Sequence, residues 1–159
     1  MKVQRVYIDT SVIGGCFDEE FALWSDGLMK DFRLGNFKAV TSEVVAAEIE
    51  PAPENVRAKY DELKGYGADV VEVTGEVVEL TDAYEHRGVL SKNYRDDGLH
   101  IAAATVYEVD ILTSWNFKHI VHFEKIRKFN ALNQELGYKP IDIRSPREVT
   151  NYGPEEEDV

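Results

Sequence analysis

RVYIDTSVIGG, residues 5–15, joins a short apolar segment directly to an aspartate, two hydroxyl residues and a pair of glycines. The stretch VQRVYI, residues 3–8, is rich in β-branched and aromatic side chains, which predicts a first strand. A strand that only filled a core would more often end in a neutral turn. Asp9 at its end therefore needs a partner, which is a base, a helix N-terminus or a cation.

Length and composition indicate one globular domain. The chain has 159 residues, of which 43% are hydrophobic and 11% aromatic, enough to bury a proper core. We expect the domain to cover residues 1–150 and residues 151–159 to form an acidic, flexible tail. No apolar run reaches the roughly 18 residues of a membrane span. One cysteine and the lack of a signal peptide predict a cytoplasmic protein without a membrane partner.

The formal net charge of −12 limits the kinds of partner. A protein that binds nucleic acid through its phosphates usually has a basic surface, so this charge disfavours tight, non-specific binding. Acidic residues gathered at one site would instead bind divalent cations, which reverse the local charge. The net charge therefore does not exclude a phosphate-containing substrate.

Strand and helix patterns alternate along the chain. After the first strand, further strands are predicted at 36–41, 68–74, 109–114 and 139–145, and helices at 18–35, 42–50, 53–67, 75–88, 94–108 and 118–137. This alternation predicts an α/β fold with a parallel β-sheet covered by helices on both faces. In such folds, ligands bind beyond the carboxyl ends of the strands.

Four segments place polar side chains where a site could form at that edge. They hold Asp9 after the first strand, Glu48 near the end of a short helix, Asp96 and Asp97 at the start of a helix, and Ser114 and Asn116 after the fourth strand. Carboxylate oxygens are the ligands that Mg²⁺ or Mn²⁺ prefers, with waters and substrate phosphate in the remaining positions. Such an ion activates water and stabilises the charge that builds on a phosphodiester. The group therefore predicts metal-ion catalysis.

Simpler structural roles compete for the same residues. Asp96 or Asp97 can serve as an N-cap or as a first-turn acid that the helix dipole favours. Glu48, taken alone, is more often a solvated helix residue. Asp9 is harder to explain in this way, because its strand is too apolar to be a surface edge.

The histidines carry no metal signature of their own. They show no zinc-ligand spacing backed by cysteines. His100 lies one helical turn from Asp97 and near the expected site, but we expect it to pack in the core. His119 and His122 begin the predicted helix 118–137 and are expected at the surface or at the edge of the core.

In their order and spacing, four segments resemble the PIN domain. They are YIDTSVIGG (7–15), TSEVVAAEIE (41–50), DDGLHIAAATVYEVDILTSWNFKHI (96–120) and IRSPREV (143–149). The resemblance spans residues 6–149 and is nearest to small bacterial or archaeal PIN proteins, typified by the toxins of VapBC toxin–antitoxin pairs. It implies a three-layer α/β/α fold, an acidic cluster that binds Mg²⁺ or Mn²⁺, and endonucleolytic cleavage of single-stranded or structured RNA.

By position, the resemblance implies catalytic and metal-binding roles for three acids. Asp9 matches the first acid of the family, Glu48 the second, and Asp97 the third because it directly precedes GLHIAAA. The fourth acidic position falls two residues after Ser114 and holds Asn116. Asparagine offers a neutral carbonyl oxygen and no negative charge, so metal affinity should be weaker, particularly for a second ion.

Neighbouring polar groups complete the site that the resemblance implies. Asn116 is expected to take part in catalysis by orienting water or the substrate phosphate. Thr10, Ser11 and Ser114 are the candidates for substrate binding. The expected product carries a 5′-phosphate, and no histidine base is required.

Two other functions stay open at this point. The first is a PIN fold of low or no activity that binds RNA or protein, which the net charge and Asn116 both favour. The second is a metal-dependent phosphatase or nucleotidase that uses the same carboxylates. The resemblance also implies a homodimer and, for a toxin, an antitoxin protein whose basic residues fill the acidic groove.

Overall fold

The computed structural model describes residues 2–154. Within this range, in chain order, the elements are β1 Arg5–Ile8, α1 Thr10–Gly15, α2 Ala22–Arg33, β2 Lys38–Ser42, α3 Glu43–Ile49, α4 Glu54–Gly65, β3 Asp69–Val71, α5 Gly75–His86, α6 Arg95–Val106, β4 Ile111–Thr113, α7 Phe123–Glu135, β5 Asp142–Arg144 and α8 Pro146–Val149. A short 3-10 helix, Lys92–Tyr94, leads into α6. Each of these helices is too short or too polar to cross a bilayer.

The five strands form one parallel sheet in the order β3-β2-β1-β4-β5. β1 is the central strand, and Tyr7 pairs with Val40 on one side and with Leu112 on the other. Ile8 pairs with Thr113, so β1 and β4 end side by side. The residues that follow these two strands therefore meet at one edge of the sheet.

Helices cover both faces of the sheet. The apolar side chains of β1 point alternately to the two faces, so both faces must be buried. Val6 and Ile8 point into a core shared with α1 to α4, whereas Tyr7 points into a core shared with α5 to α7. All three side chains are fully buried. This arrangement confirms the predicted three-layer α/β/α fold.

Several helices begin where the sequence pattern did not predict them: α2 begins four residues late, and α8 was not predicted at all. α1 starts directly after β1, and Asp9 is its N-cap. The predicted helix 118–137 was wrong at its start, since α7 begins at Phe123. The preceding residues instead wind around Asn116, whose carbonyl oxygen accepts hydrogen bonds from the amides of Ile120 and Val121. His119 thus lies in a turn rather than in a helix.

The chain after α8 returns to α2. The buried carboxylate of Asp31 accepts hydrogen bonds from the hydroxyl of Thr150 and from both the backbone and the side-chain amide of Asn151. Asn151 is the first residue of the predicted tail. Residues 155–159 lie outside the described residues, so the flexible tail stays a prediction.

Candidate active site

Asp9 lies at the carboxyl end of β1 and is fixed by hydrogen bonds. Its Oδ1 accepts from the amide of Val12 at 3.2 Å and from the hydroxyl of Ser11 at 2.6 Å. Its Oδ2 accepts from the hydroxyl of Ser114 at 2.5 Å. Burial raises the pKa of Asp9, although nearby His100 and these hydrogen bonds act in the opposite direction. Of the three partners expected for Asp9, the start of a helix is thus observed directly.

Glu48 on α3 pairs with His100 on α6. Nε2 of His100 and Oε1 of Glu48 are 2.7 Å apart, and the Glu48 side chain is 33% exposed. Burial opposes the charged forms of both groups, but their mutual hydrogen bond lowers the pKa of Glu48 and raises the pKa of His100. The charges of Asp9 and Asp97 also raise the pKa of His100. The hydrogen bond therefore favours the charged forms of both groups, an imidazolium and a carboxylate.

A second hydrogen bond fixes the ring of His100 from its other side. Nδ1 of His100 is 2.7 Å from the hydroxyl of Tyr7, which is in turn 2.7 Å from Oγ of Ser42. Ser42 is the N-cap of α3 and accepts from the amide of Val44. When His100 is protonated, both of its nitrogens donate, and the hydroxyl of Tyr7 then donates onward to Ser42. Sequence analysis assigned His100 to packing and missed Tyr7 and Ser42. A tyrosine in an otherwise aliphatic central strand is the one signal that points to this chain of hydrogen bonds.

Asp97 lies in the first turn of α6, close to the other two acids. Burial and the charges of Asp9 and Glu48 raise its pKa to about 6, while His100 and the side chain of Asn116 partly offset them. The three predicted acids, which come from β1, α3 and α6, therefore lie within electrostatic range of one another. Asp97 also has the position of a first-turn acid, as the simpler prediction required.

Asn116 holds the turn that follows β4. Its Oδ1 accepts hydrogen bonds from the amides of Lys118 at 3.2 Å and His119 at 3.0 Å. The side-chain oxygen is thus engaged with the backbone, and the amide nitrogen is left to interact with Asp97. The amide of Asn116 also donates to Oγ of Ser114 at 2.9 Å.

The three predicted substrate-binding residues surround Asp9 and Glu48. The hydroxyls of Ser11 and Ser114 both donate to Asp9, and Ser11 also accepts from the amide of Trp115 at 2.9 Å. The hydroxyl of Thr10 is buried without a hydrogen-bond partner among the described residues, yet it lies close enough to help lower the pKa of Glu48. Buried hydroxyls are seldom left unpaired, so Thr10 is the one of the three with a donor to spare.

The donor chemistry of the three acids suits Mg²⁺ or Mn²⁺, which prefer carboxylate oxygens. Across residues 2–154, none of the three forms an ion pair with a lysine or arginine. In the observed side-chain positions of the same range, no group of three His, Cys, Asp or Glu is arranged to hold a metal ion. Asp9 and Glu48 are fixed by hydrogen bonds, and Glu48 and Asp97 are partly exposed. A bound metal stays a prediction.

Sequence comparison finds no relatives for this chain. No known family profile matches it, and no curated protein is detectably similar. Solved structures do match. One chain of the crystal structure of VapBC2 from Rickettsia felis, bound to a DNA fragment from their promoter, superposes with a TM-score of 0.56 and 12% identity, over 89% of this chain and 98% of that chain.

A second match leads to the same fold. One chain of a toxin–antitoxin complex from Klebsiella pneumoniae superposes with a TM-score of 0.54 and 12% identity, over 72% of this chain and 88% of that chain. At such identity the likeness concerns the fold. Together with the five-stranded parallel sheet, these matches show that the chain has a PIN-like α/β fold, as its sequence motifs predicted.

Proposed function

We propose that this PIN-like protein is a metal-dependent endoribonuclease that hydrolyses RNA phosphodiester bonds at Asp9, Glu48 and Asp97. The observation that carries the proposal is the raised pKa of Asp97, about 6, which burial and the charges of Asp9 and Glu48 cause. Gathering three acids without a lysine or arginine costs folding free energy. Strongly perturbed carboxyl groups of this kind cluster at functional sites.

In this proposal Asp9 and Asp97 hold Mg²⁺ or Mn²⁺, and Glu48 holds it directly or through water. The bound ion supplies Lewis acidity and neutralises the charge of the reacting phosphate. Asp9 is the best placed of the three, because hydrogen bonds from Ser11 and Ser114 fix its carboxylate before any ligand binds. Such preorganisation removes the cost of ordering a ligand on binding.

Three further side chains position groups around the acids. His100 holds the Glu48 carboxylate at a defined place on α3. The amide nitrogen of Asn116 orients Asp97, since its oxygen is engaged in the turn. The hydroxyl of Thr10, which is buried beside Glu48, supports that carboxylate. Removal of any of these groups leaves the acids in place but lowers the rate.

An antitoxin protein is the partner that best fits this proposal. Both structural neighbours come from toxin–antitoxin complexes, which supports a toxin role. The net charge of −12 and the acidic cluster favour a partner that inserts basic residues at the site. The homodimer stays a prediction, which light scattering on the purified protein checks.

The test is cleavage of a mixed RNA pool with Mg²⁺ or Mn²⁺ by wild type, Asp97→Asn and Asp96→Asn. Asp96 is the exposed neighbour of Asp97 in the same helical turn, so Asp96→Asn is the matched control. We expect cleavage that requires metal, disappears in Asp97→Asn and persists in Asp96→Asn.

Other results would select a different function. A well-folded wild type that cleaves no RNA with any metal would favour a module that binds RNA or protein without cleaving it. Equal cleavage by Asp97→Asn would show a contaminant or a site elsewhere. Release of phosphate from nucleotides, with RNA left intact, would favour the phosphatase.

A further inference from the structure

An exposed aromatic ring stands beside the acidic cluster on a rigid support. Phe117 follows Asn116 and is 49% exposed. Behind it, the rings of Phe21 and Trp115 stack with centroids 4.2 Å apart, and the Phe117 ring lies 6.1 Å from Trp115. Trp115 is held in turn by a hydrogen bond from its ring nitrogen to Ser25 at 2.8 Å. The ring of Phe117 is therefore presented to solvent by a fixed aromatic stack.

A second flat surface lies on the same turn. The rings of Tyr94 and His119 overlap with centroids 3.7 Å apart and an interplanar angle of 31°. Tyr94 is 38% exposed. Its position just before α6 places it near Asp97, three residues later in the chain. Planar rings thus lie close to the acids on two sides.

Positive charge gathers around this turn, in contrast to the rest of the chain. Residues 118–128 contain four lysines or arginines and one acid, in a protein of net charge −12. Burial together with the charges of Lys118, Lys125 and His122 lowers the pKa of His119. These cations therefore lie close enough to His119 to act on it.

The turn is tied directly to the acidic cluster. Oδ1 of Asn116 accepts from the amides of Lys118 and His119, and the amide of Asn116 donates to Ser114. Ser114 donates in turn to Asp9. The turn that carries Phe117 and His119 is thus hydrogen-bonded, through Ser114, to Asp9 at the carboxyl edge of the sheet.

We propose that Tyr94, Phe117, Lys118 and His119, here called the aromatic platform, bind unpaired RNA next to the bond that is cleaved. This inference rests on the proposed nuclease function and names the residues that hold the RNA strand beside the acids. Exposed rings stack on bases, and lysines contact phosphates, whatever the base sequence. In a duplex the faces of the bases are already stacked on one another, so double-stranded RNA cannot use the platform.

RNA fits this surface better than a protein partner does. A protein partner suited to the acids would be basic, and Lys118, Lys125 and His122 would repel it at the turn. A single RNA strand meets cations at its phosphates and rings at its bases. The platform thus supplies the positive charge for RNA that the chain as a whole lacks.

The test is binding of a fluorescein-labelled, unstructured RNA oligomer, followed by anisotropy with a metal chelator present so that no cleavage occurs. We expect Phe117→Ala to weaken binding about tenfold, which corresponds to the loss of one stacked base. Phe117→Tyr keeps a ring and should bind like wild type. Lys118→Ala should reduce the dependence of log Kd on log salt concentration by about one unit or slightly less, the effect of one lost phosphate contact.

Matched controls lie at the opposite edge of the sheet. Tyr66 is 37% exposed beside the start of β1 and β2, and the side chain of Lys139 is 80% exposed before β5. Tyr66→Ala and Lys139→Ala should bind the oligomer like wild type. Duplex RNA of the same sequence should bind wild type at least tenfold more weakly, and Phe117→Ala should not change that affinity.

Three results would overturn the platform. The first is that wild type does not bind the oligomer. The second is that Phe117→Ala and Lys118→Ala both bind it like wild type. The third is that the duplex binds as tightly as the single strand. The second result would assign the exposed rings to a protein partner instead. Binding that depends on the platform, without cleavage in Mg²⁺ or Mn²⁺, would support this inference while it contradicts the nuclease proposal.

Discussion

Nε2 of His100 lies 2.7 Å from Oε1 of Glu48 and thereby joins a buried ring on α6 to a partly exposed carboxylate on α3. Because the other ring nitrogen is held by Tyr7, the imidazole cannot turn away from Glu48. In the proposed nuclease, His100 is therefore a positioning residue that acts through Glu48.

His100→Ala should lower the free energy of unfolding by about 2 kcal/mol, because it leaves the hydroxyl of Tyr7 and the carboxylate of Glu48 without their partner. Tyr7→Phe removes both hydrogen bonds of the Tyr7 hydroxyl but leaves the pair of His100 and Glu48 intact, and it should also cost about 2 kcal/mol. Urea denaturation of the metal-free proteins measures both changes. A His100→Ala variant as stable as wild type would contradict the observed pair.

The contribution of this pair should depend on pH in the metal-free protein. The raised pKa of His100 gives stability that is lost as pH rises through its folded value, which lies above 6.5. The lowered pKa of Glu48 gives stability that is lost as pH falls through its folded value, below 4.5. The stability difference between wild type and Glu48→Gln should therefore be largest between about pH 4.5 and 6.5. Denaturant titrations across pH check this, and a flat difference would contradict it.

Asp97→Asn should stabilise the metal-free protein at neutral pH. The pKa of Asp97 is raised from 3.8 to about 6, so its charged form costs folding free energy above pH 6 and costs nothing below pH 3.8. Since Asp97 is partly exposed, solvent screening reduces the gain on its removal to about 1 kcal/mol. Thermal unfolding at pH 7.5 and at acid pH checks the sign, with Asp96→Asn as the control that should change nothing. A loss of stability in Asp97→Asn at pH 7.5 would contradict the crowding of charges.

Asn116→Asp should strengthen metal binding. An aspartate keeps the side-chain oxygen that caps the turn and adds a fourth negative charge beside Asp97. We therefore expect a lower melting temperature than wild type without metal and a larger rise on addition of Mn²⁺, because a ligand that binds only the folded state stabilises it by mass action. Differential scanning fluorimetry measures both. Equal rises in the two proteins would place the metal away from residue 116.

Gly15→Ala should destabilise the support of the aromatic platform. A methyl group at Gly15 would lie 2.6 Å from Oγ of Ser25 and 2.7 Å from Nε1 of Trp115, two atoms that are hydrogen-bonded to each other. Relief of this clash must move one of them, at a cost of about 2 kcal/mol. Gly14→Ala is the matched control in the same helix, since nothing lies within 4 Å of the added methyl group. Denaturant midpoints compare the two, and equal midpoints would contradict the close packing at Gly15.

Sequence analysis predicted the regular parts of the fold because their signals are local. The five strands and most helices follow from apolar periodicity and from stops such as Gly35, which adopts a φ of 78°. Thr74 caps α5 and accepts a hydrogen bond from the amide of Val77. α1 was missed because two of its six residues are glycines, which favour a turn. The start of α7 was missed because the apolar pattern of the sequence runs through residues 118–122, although these residues form a turn around Asn116.

Sequence motifs identified the acids of the candidate site, but they did not reveal the hydrogen bonds that connect these acids to other side chains. Tyr7, Glu48 and His100 come from β1, α3 and α6, so no spacing along the chain reveals their hydrogen bonds. The cap that Asn116 forms was open to prediction, since asparagine often bonds the amides two and three residues later. The aromatic platform could not be predicted from the sequence, because α6 and β4 separate Tyr94 from His119 along the chain and only the fold brings their rings together.

The pairing of Ile8 with Thr113, and of Asp9 with Ser114, has a consequence for protein synthesis. The central strand emerges from the ribosome first but gains one of its two neighbours only after about two thirds of the chain has been translated. Asp31 gains its partners in residues 150–151 later still. A growing polypeptide therefore carries Asp9, Glu48 and Asp97 before β4 and Ser114 are in place beside them. If the protein is the nuclease proposed above, its site is complete only after β4 has joined the sheet.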